Sequence, residues 1–225
     1  MMPRTLEPEW LDELPAADPR AVRSRRELVF VNWLMGNAGA VARALALREG
    51  ARIADLGSGD ATFTARVARK LRLRNVELAL IDRGCPAAPA ALGTFAALGW
   101  RVSECAADAV EWLRAQRGRL DAVTANLFLH HLDNARLREL LALAAERTRL
   151  FVACEPRRSR LALWGSNALI LIGCGAVTRH DAVVSVKAGF SGRELSEHWP
   201  VASGWRLVER ASGPFSHLFV ARRDA

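Results

Sequence analysis

Between Ala51 and Asp60 the chain runs from a short apolar strand into a turn built on two glycines, and this junction limits the possible folds more than any other feature. Ile53, Ala54 and Leu56 read as a buried strand, and Ala61–Leu73 as the helix that follows. Between them, Gly57 and Gly59 let the backbone bend sharply and approach a ligand with no Cβ in the way. Loops that hold a dinucleotide pyrophosphate carry a third glycine, in the pattern G-x-G-x-x-G. Thr62 stands in that third place here. Asp55, two places before the first glycine, repels pyrophosphate and suits a ligand that carries an amino group or a sulfonium.

From there the sequence alternates. Strands are expected at Ala51–Leu56, Val76–Ile81, Arg101–Ala106, Leu120–Ala125 and Leu150–Cys154. Helices are expected at Ala61–Leu73, Ala87–Leu98, Val110–Gln116 and Asn134–Arg147. Such alternation predicts an α/β, Rossmann-like doubly wound sheet, mostly parallel and covered on both faces. After an apolar segment and a short Gly192–Trp199 helix, Trp205–Arg210 and Ser216–Ala221 flank Ser212, Gly213 and Pro214. They read as a hairpin that adds one antiparallel strand at the sheet's edge. Ahead of the sheet, residues 1 to about 20 are rich in proline and acid and read as irregular. A helix from Arg20 to Leu34 has a basic first half, and a second runs from Ala38 to Glu49. The expected organisation is therefore an N-terminal helical cap over residues 1–49 and one sheet domain over 50–225, with 161–200 as an apolar lid insertion. At 225 residues the chain is long enough for a sizeable core.

The net charge of +8 raises nucleic acid as a partner. The charge is almost all arginine (Lys70 and Lys187 are the two lysines) and is spread along the chain, so a nucleic-acid partner is not expected. Cys85, Cys105, Cys154 and Cys174 show no C-x-x-C pair and no zinc-ligand spacing, which predicts a reduced, cytoplasmic protein without a metal site. Acidic residues and prolines near the N-terminus do not resemble a secretion signal.

Several expected strand ends carry polar residues suited to a nucleoside with an amino-acid tail. Asp82 ends the second strand, where a carboxylate can accept from both ribose hydroxyls; a solvated turn is the alternative. Asp108, after Ala106 and Ala107, can receive an adenine amino group beside the N–H of Ala109, or cap the next helix. Asn126 ends the fourth strand. At Asp55, Gly57 and Gly59, with these residues in this order, the chain resembles the class I S-adenosylmethionine-dependent methyltransferases, whose first motif is Asp/Glu-x-Gly-x-Gly. The resemblance covers roughly residues 50 to 225. It implies S-adenosylmethionine as cofactor, held by Asp55, Gly57, Ser58, Gly59, Asp82, Arg83, Ala107, Asp108, Ala109 and Asn126.

After Asn126 the chain lacks the Asn/Asp-Pro-Pro-aromatic motif of enzymes that methylate base or glutamine nitrogens. Leu129, His130, His131 and Leu132 resemble instead the segment of small-molecule O-methyltransferases in which a histidine takes the acceptor proton. His130 is the favoured base, with His131 beside it; both could equally pack or cap the turn. His180, between Arg179 and Asp181, is a further catalytic or acceptor-binding candidate, with a structural bridge as the alternative. Leu161 to Thr178 carries no charge, but Gly165, Gly173 and Gly175 argue against a membrane span. It reads as a hydrophobic lid, with Trp164 and Leu169 near the acceptor and peripheral membrane contact as an option. Glu155, Pro156, Arg157 and Arg158 put a basic cluster at a strand end. Trp33, Arg25 and Arg26 are candidates to touch cofactor or acceptor, a solvated basic face being the alternative for the arginines. The whole looks similar to bacterial methyltransferases beside type III polyketide synthases, which act on phenolic lipids. That resemblance implies O-methylation of a hydrophobic phenolic or polyketide-derived small molecule by a monomer or homodimer. A quinone carbon, a nitrogen or an RNA acceptor, or a silent binding module, are the competing readings.

Overall fold

The computed structural model describes residues 2–15, 17–200 and 204–224. Three helices come first: α1 (Trp10–Glu13), α2 (Pro19–Leu34) and α3 (Asn37–Ala44). The alternating part follows as β1 (Arg52–Leu56), α4 (Thr62–Leu71), β2 (Glu77–Asp82), α5 (Pro89–Ala97), β3 (Arg101–Ala106), α6 (Ala109–Ala115) and β4 (Ala122–Asn126). After a 3-10 turn at Leu129–His131 come α7 (Asn134–Arg147) and β5 (Leu150–Pro156). Helix α8 (Arg160–Ala168), a second 3-10 turn (Leu169–Ile172), α9 (Ala176–Ala188), α10 (Glu194–His198), β6 (Trp205–Ser212) and β7 (Ser216–Arg223) complete the chain.

The strands form one sheet in the order β3-β2-β1-β4-β5-β7-β6. β1 pairs in parallel with β2 on one side and β4 on the other, so the strand order reverses at β1. Ligands of open α/β sheets sit at that reversal, outside the carboxyl ends of the strands. The Rossmann-like sheet matches the sequence expectation. β7 is its antiparallel member, paired with β5, and β6 closes the edge outside it.

Side-chain alternation along β1 divides the core. Ala54 and Leu56 join Leu113 of α6, Leu137 and Leu141 of α7 and Phe151 on one face. Ile53 joins Val41 of α3, Val67 of α4 and Phe95 of α5 on the other. Full burial of each such Leu or Phe contributes about 1.5–3 kcal/mol.

The N-terminal segment, expected to be irregular, contains α1. It forms because the buried carboxylate of Asp181 accepts from the first free amides, Trp10 N at 2.8 Å and Leu11 N at 3.0 Å. That cap lies 170 residues away in sequence, so no local pattern announced it. Helix α2 starts one residue before the expected Arg20, with Asp18 as cap and Pro19 at its first position. Helix α3 stops at Ala44 rather than Glu49. The uncharged stretch from Leu161 resolves into α8, the 3-10 turn and the start of α9, broken at Gly173 (φ +80°). No helix of the described residues is long and apolar enough to cross a membrane.

Candidate active site

Two chambers that share wall residues lie at the strand reversal. The first follows the glycine loop. Gly57 N and Ser58 N donate to Ile81 O (2.8 and 3.1 Å), which clamps the loop onto β2. Gly57 (φ +65°) packs so tightly that a Cβ there would come within 2.3 Å of the Phe128 ring; Gly59 (φ +52°) faces open space. Asp82 accepts from Gly59 N (3.0 Å) through one oxygen, and from Gly84 N and Cys85 N through the other. An ionised carboxylate has about four acceptor positions, so capacity remains. Around this loop lie a cavity of 160 Å³ bordered by Asp55, Gly57, Gly59 and Asn126, and one of 240 Å³ bordered by Asp82, Glu104 and Ala106. Ser58 lines both.

Two polar groups in the smaller cavity stand out. Asn126 Oδ1 is buried with no hydrogen-bond partner. Asp55 is nearly fully buried and accepts from the hydroxyls of Thr124 (2.6 Å) and Thr64. Burial pushes its pKa up to about 6, against the pull of those hydroxyls. A bound cation would pull that pKa back down and hold the carboxylate ionised.

The second chamber is an apolar cavity of 520 Å³, walled by Leu28 and Val31 of α2, Trp164 of α8, Leu169 and Ile172 of the second 3-10 turn, and Val186 of α9. His130, His131, Glu9 and Ser185 supply polar atoms. Asn32 and Leu127 line this chamber and the smaller glycine-loop cavity alike. Leu127 sits in the left-handed region (φ +52°), a conformation costly for a residue with a Cβ.

The two histidines are in opposite states. Glu155, fully buried at the end of β5, accepts from Phe128 N, Leu129 N and His130 N and holds His130 Nδ1 at 2.8 Å. His130 Nε2 lies 3.6 Å from a Glu9 oxygen. Burial would lower the His130 pKa, but the two carboxylates outweigh it and raise it to about 9. His131 opens onto the chamber from a crowded surround. Its surface is exposed, but partial desolvation by the protein packed around the ring, together with the charge on His130, lowers its pKa to about 4. At neutral pH one proton-bearing cation, His130, thus stands beside one neutral imidazole, His131, with ring centroids 4.1 Å apart.

Other sequence candidates lie elsewhere. His180 does not line either chamber; it stacks on Trp10 (3.8 Å, 9° between planes) and meets Asp181 at 3.0 Å, the structural alternative. Arg179 is likewise off the cavity wall, and Trp33 points outward, 62% exposed, against Phe30. Arg26 is exposed, and the charge of exposed Arg25 reaches the thiol of Cys85, which borders the 240 Å³ cavity. Asp108 does cap α6, through Val110 N and Glu111 N, and also binds Arg83 and Arg136. Ala107 N is taken by Asp82 O, and Ala109 is buried at the start of α6. Arg158, read as part of a basic cluster open to an anion, is buried and spent on Met2 O, Ser191 and Glu194. The expectation of no metal-ligand cluster also needs correction. Glu9, His130 and His131 each bring one ligand-type atom within 4.8 Å of the others. More than 120 residues separate Glu9 from the histidines, so spacing alone could not reveal it.

No protein-family model matches the chain, and no curated protein matches it either. Solved structures do match. The plantazolicin methyltransferase BamL, solved with a triazolic desmethylPZN analog and S-adenosylhomocysteine, aligns with a TM-score of 0.65 at 12% identity, over 96% of this chain and 93% of that one. An O-methyltransferase family protein from Burkholderia thailandensis gives 0.60 at 20% identity, over 93% and 61%. The 1,6-didemethyltoxoflavin-N1-methyltransferase of Burkholderia thailandensis, with its substrate and S-adenosylhomocysteine bound, gives 0.57 at 20%, over 100% and 95%. The fold is that of the class I methyltransferases. This chain spans 61% of the first Burkholderia protein, and at these identities the likeness concerns the fold. Within the methyltransferase fold, the glycine loop, Asp82 and Asn126 occupy the strand ends at the reversal.

Proposed function

We propose that the protein is an S-adenosylmethionine-dependent methyltransferase acting on a hydrophobic small molecule, at the hydroxyl oxygen of a phenolic or polyketide-derived acceptor. The shared walls Asn32 and Leu127 carry this reading, because a ligand on the glycine loop then abuts a ligand in the apolar chamber. The residues on the loop fit the cofactor. The unpartnered Asn126 Oδ1 and the buried Asp55 suit its ammonium group, and the free acceptor capacity of Asp82 suits its ribose hydroxyls. Gly57, Ser58 and Gly59 leave room for backbone approach. Recognition of the adenine amino group by Asp108 requires Arg83 to give way.

When bound, S-adenosylmethionine supplies a methyl group on a positive sulfur, which a nucleophile takes in line. What the chain adds is alignment and a proton acceptor. The base shifts from the expected His130, which already carries its proton, to His131, which is neutral. The charge on His130 that depresses the basicity of His131 also lowers the pKa of an acceptor hydroxyl beside it, which offsets part of the weakness of that base. Glu155 fixes the orientation of the charged ring. Leu28, Val31, Leu169 and Trp164 offer an apolar acceptor a dry wall.

Incubation with S-adenosylmethionine and a panel of alkylated phenols, read by mass spectrometry, tests the reading. A methyl ether that His131→Ala fails to produce is expected. Methylation at a nitrogen would favour the second reading, to which the N1-methyltransferase neighbour lends support. No product from phenols or heterocycles would remove the acceptor assignment.

A further inference from the structure

We propose that the outer surface of α2, α8 and the following 3-10 turn is a docking face for an anionic lipid bilayer. Among the described residues, every large apolar side chain that is at least half exposed lies on these elements: Phe30 and Trp33 of α2, Leu161 and Trp164 of α8, and Ile170, Leu171 and Ile172 of the turn. Leu171 reaches 81% exposure. Exposed apolar side chains so concentrated mark an interaction site. They do not belong to the core, and their concentration on three neighbouring elements is not the single scatter expected of an ordinary surface.

Helix α2 and the turn are tied together. Arg23 Nη2 donates to Gly173 O just past the turn (2.6 Å), and Glu27 accepts from Gly175 N (2.9 Å). Both also wall the acceptor chamber from within, α2 through Leu28 and Val31 and the turn through Leu169 and Ile172. The face therefore shares its elements with the chamber wall, and Trp164 and Ile172 belong to both.

Charge decides the occupant. Arg26, Phe30 and Trp33 follow one another at helical spacing, so α2 presents arginine and then aromatic side chains along one stripe. The exposed Arg160 directly precedes Leu161 on α8. Apolar side chains beside arginines match the interface of an anionic bilayer, where the first enter the acyl boundary and the second meet phosphates. A second copy meeting the same face across a two-fold axis would bring like arginines together. A bilayer also dissolves the hydrophobic acceptors that the chamber suits, so docking would deliver them without passage through water. That last link rests on the proposed methyltransferase reading; the docking face does not.

Flotation with vesicles of equimolar phosphatidylcholine and phosphatidylglycerol tests the proposal. Wild-type protein should float with these vesicles and far less with phosphatidylcholine alone, and added salt should release it. The Ile170→Asp/Leu171→Asp variant should lose about tenfold or more of that partitioning. Its S-adenosylhomocysteine titration should stay unchanged, because neither residue lines a chamber. Arg26→Glu/Arg160→Glu should weaken binding to the anionic vesicles specifically. Wild-type protein that stays in solution with both vesicle types overturns the proposal. So does a dimer, seen by sedimentation velocity, that Ile170→Asp/Leu171→Asp dissociates, because the face then belongs to a second copy.

Discussion

His130 and Glu155 lie 2.8 Å apart, Nδ1 to Oε2, with neither side chain more than 3% exposed. Three backbone amides of the turn after β4 converge on the same carboxylate. The pair thus ties the turn at Leu129–His131 to β5. The His130 pKa is raised from 6.5 to about 9 in the fold. Its stabilising contribution is therefore complete below about pH 6.5 and is lost as pH rises through about 9. Thermal denaturation across that window should show Tm falling in the wild type and a flatter profile in His130→Gln. Glu155→Ala removes the nearer partner of a buried cation and the acceptor of three amides, and should cost about 3–5 kcal/mol, read by urea denaturation.

His131→Ala should lower kcat about 10²–10⁴-fold, the usual share of a general base, and leave S-adenosylhomocysteine affinity intact. The wild-type rate should be flat from about pH 5 to 8, because His131 stays unprotonated above about 4. A rate that climbs through about 6.5 would instead mark an unperturbed imidazole as the base.

Gly57→Ala should abolish cofactor binding and lower Tm. The added methyl meets the Phe128 ring at 2.3 Å on a backbone with φ +65°. Gly59→Ala, with nothing near its Cβ but a positive φ of +52°, should cost less stability while still obstructing the ligand. Thermal melts with and without S-adenosylhomocysteine separate the two effects.

Much of the sheet was legible because β1, β2 and β4 are short apolar runs closed by Gly, Asp or Asn, the mark of strands covered on both faces. The cofactor loop was legible for the same reason: Asp55, Gly57 and Gly59 are contiguous, and their chemistry is local. The acceptor side was not. Glu9 reaches His130 from the far end of the chain, and α1, which follows Glu9, is capped by Asp181. Glu155 was visible as a residue but not as the partner that raises the pKa of His130. His180 and Trp33 drew notice as acceptor contacts because of their residue types, yet His180 stacks on Trp10 and Trp33 lies beside Phe30, both away from the chamber wall.

The cluster of Glu9, His130 and His131 has the donor types of a transition-metal site. The ion pairs account for it without one, since Nδ1 and Nε2 of His130 both face carboxylates. Methyl transfer should therefore survive EDTA. Activity lost to EDTA and restored by zinc or manganese would turn the cluster into a metal centre.

The central claim is that the glycine loop, Asp82 and Asn126 hold S-adenosylmethionine. Calorimetric titration of the protein with S-adenosylhomocysteine, on wild type and on Asp82→Ala, addresses it directly. The account expects binding at micromolar concentration, weakened by the substitution about tenfold or more, ~1.4 kcal/mol. A wild type that gives neither heat nor thermal stabilisation with the ligand would contradict it.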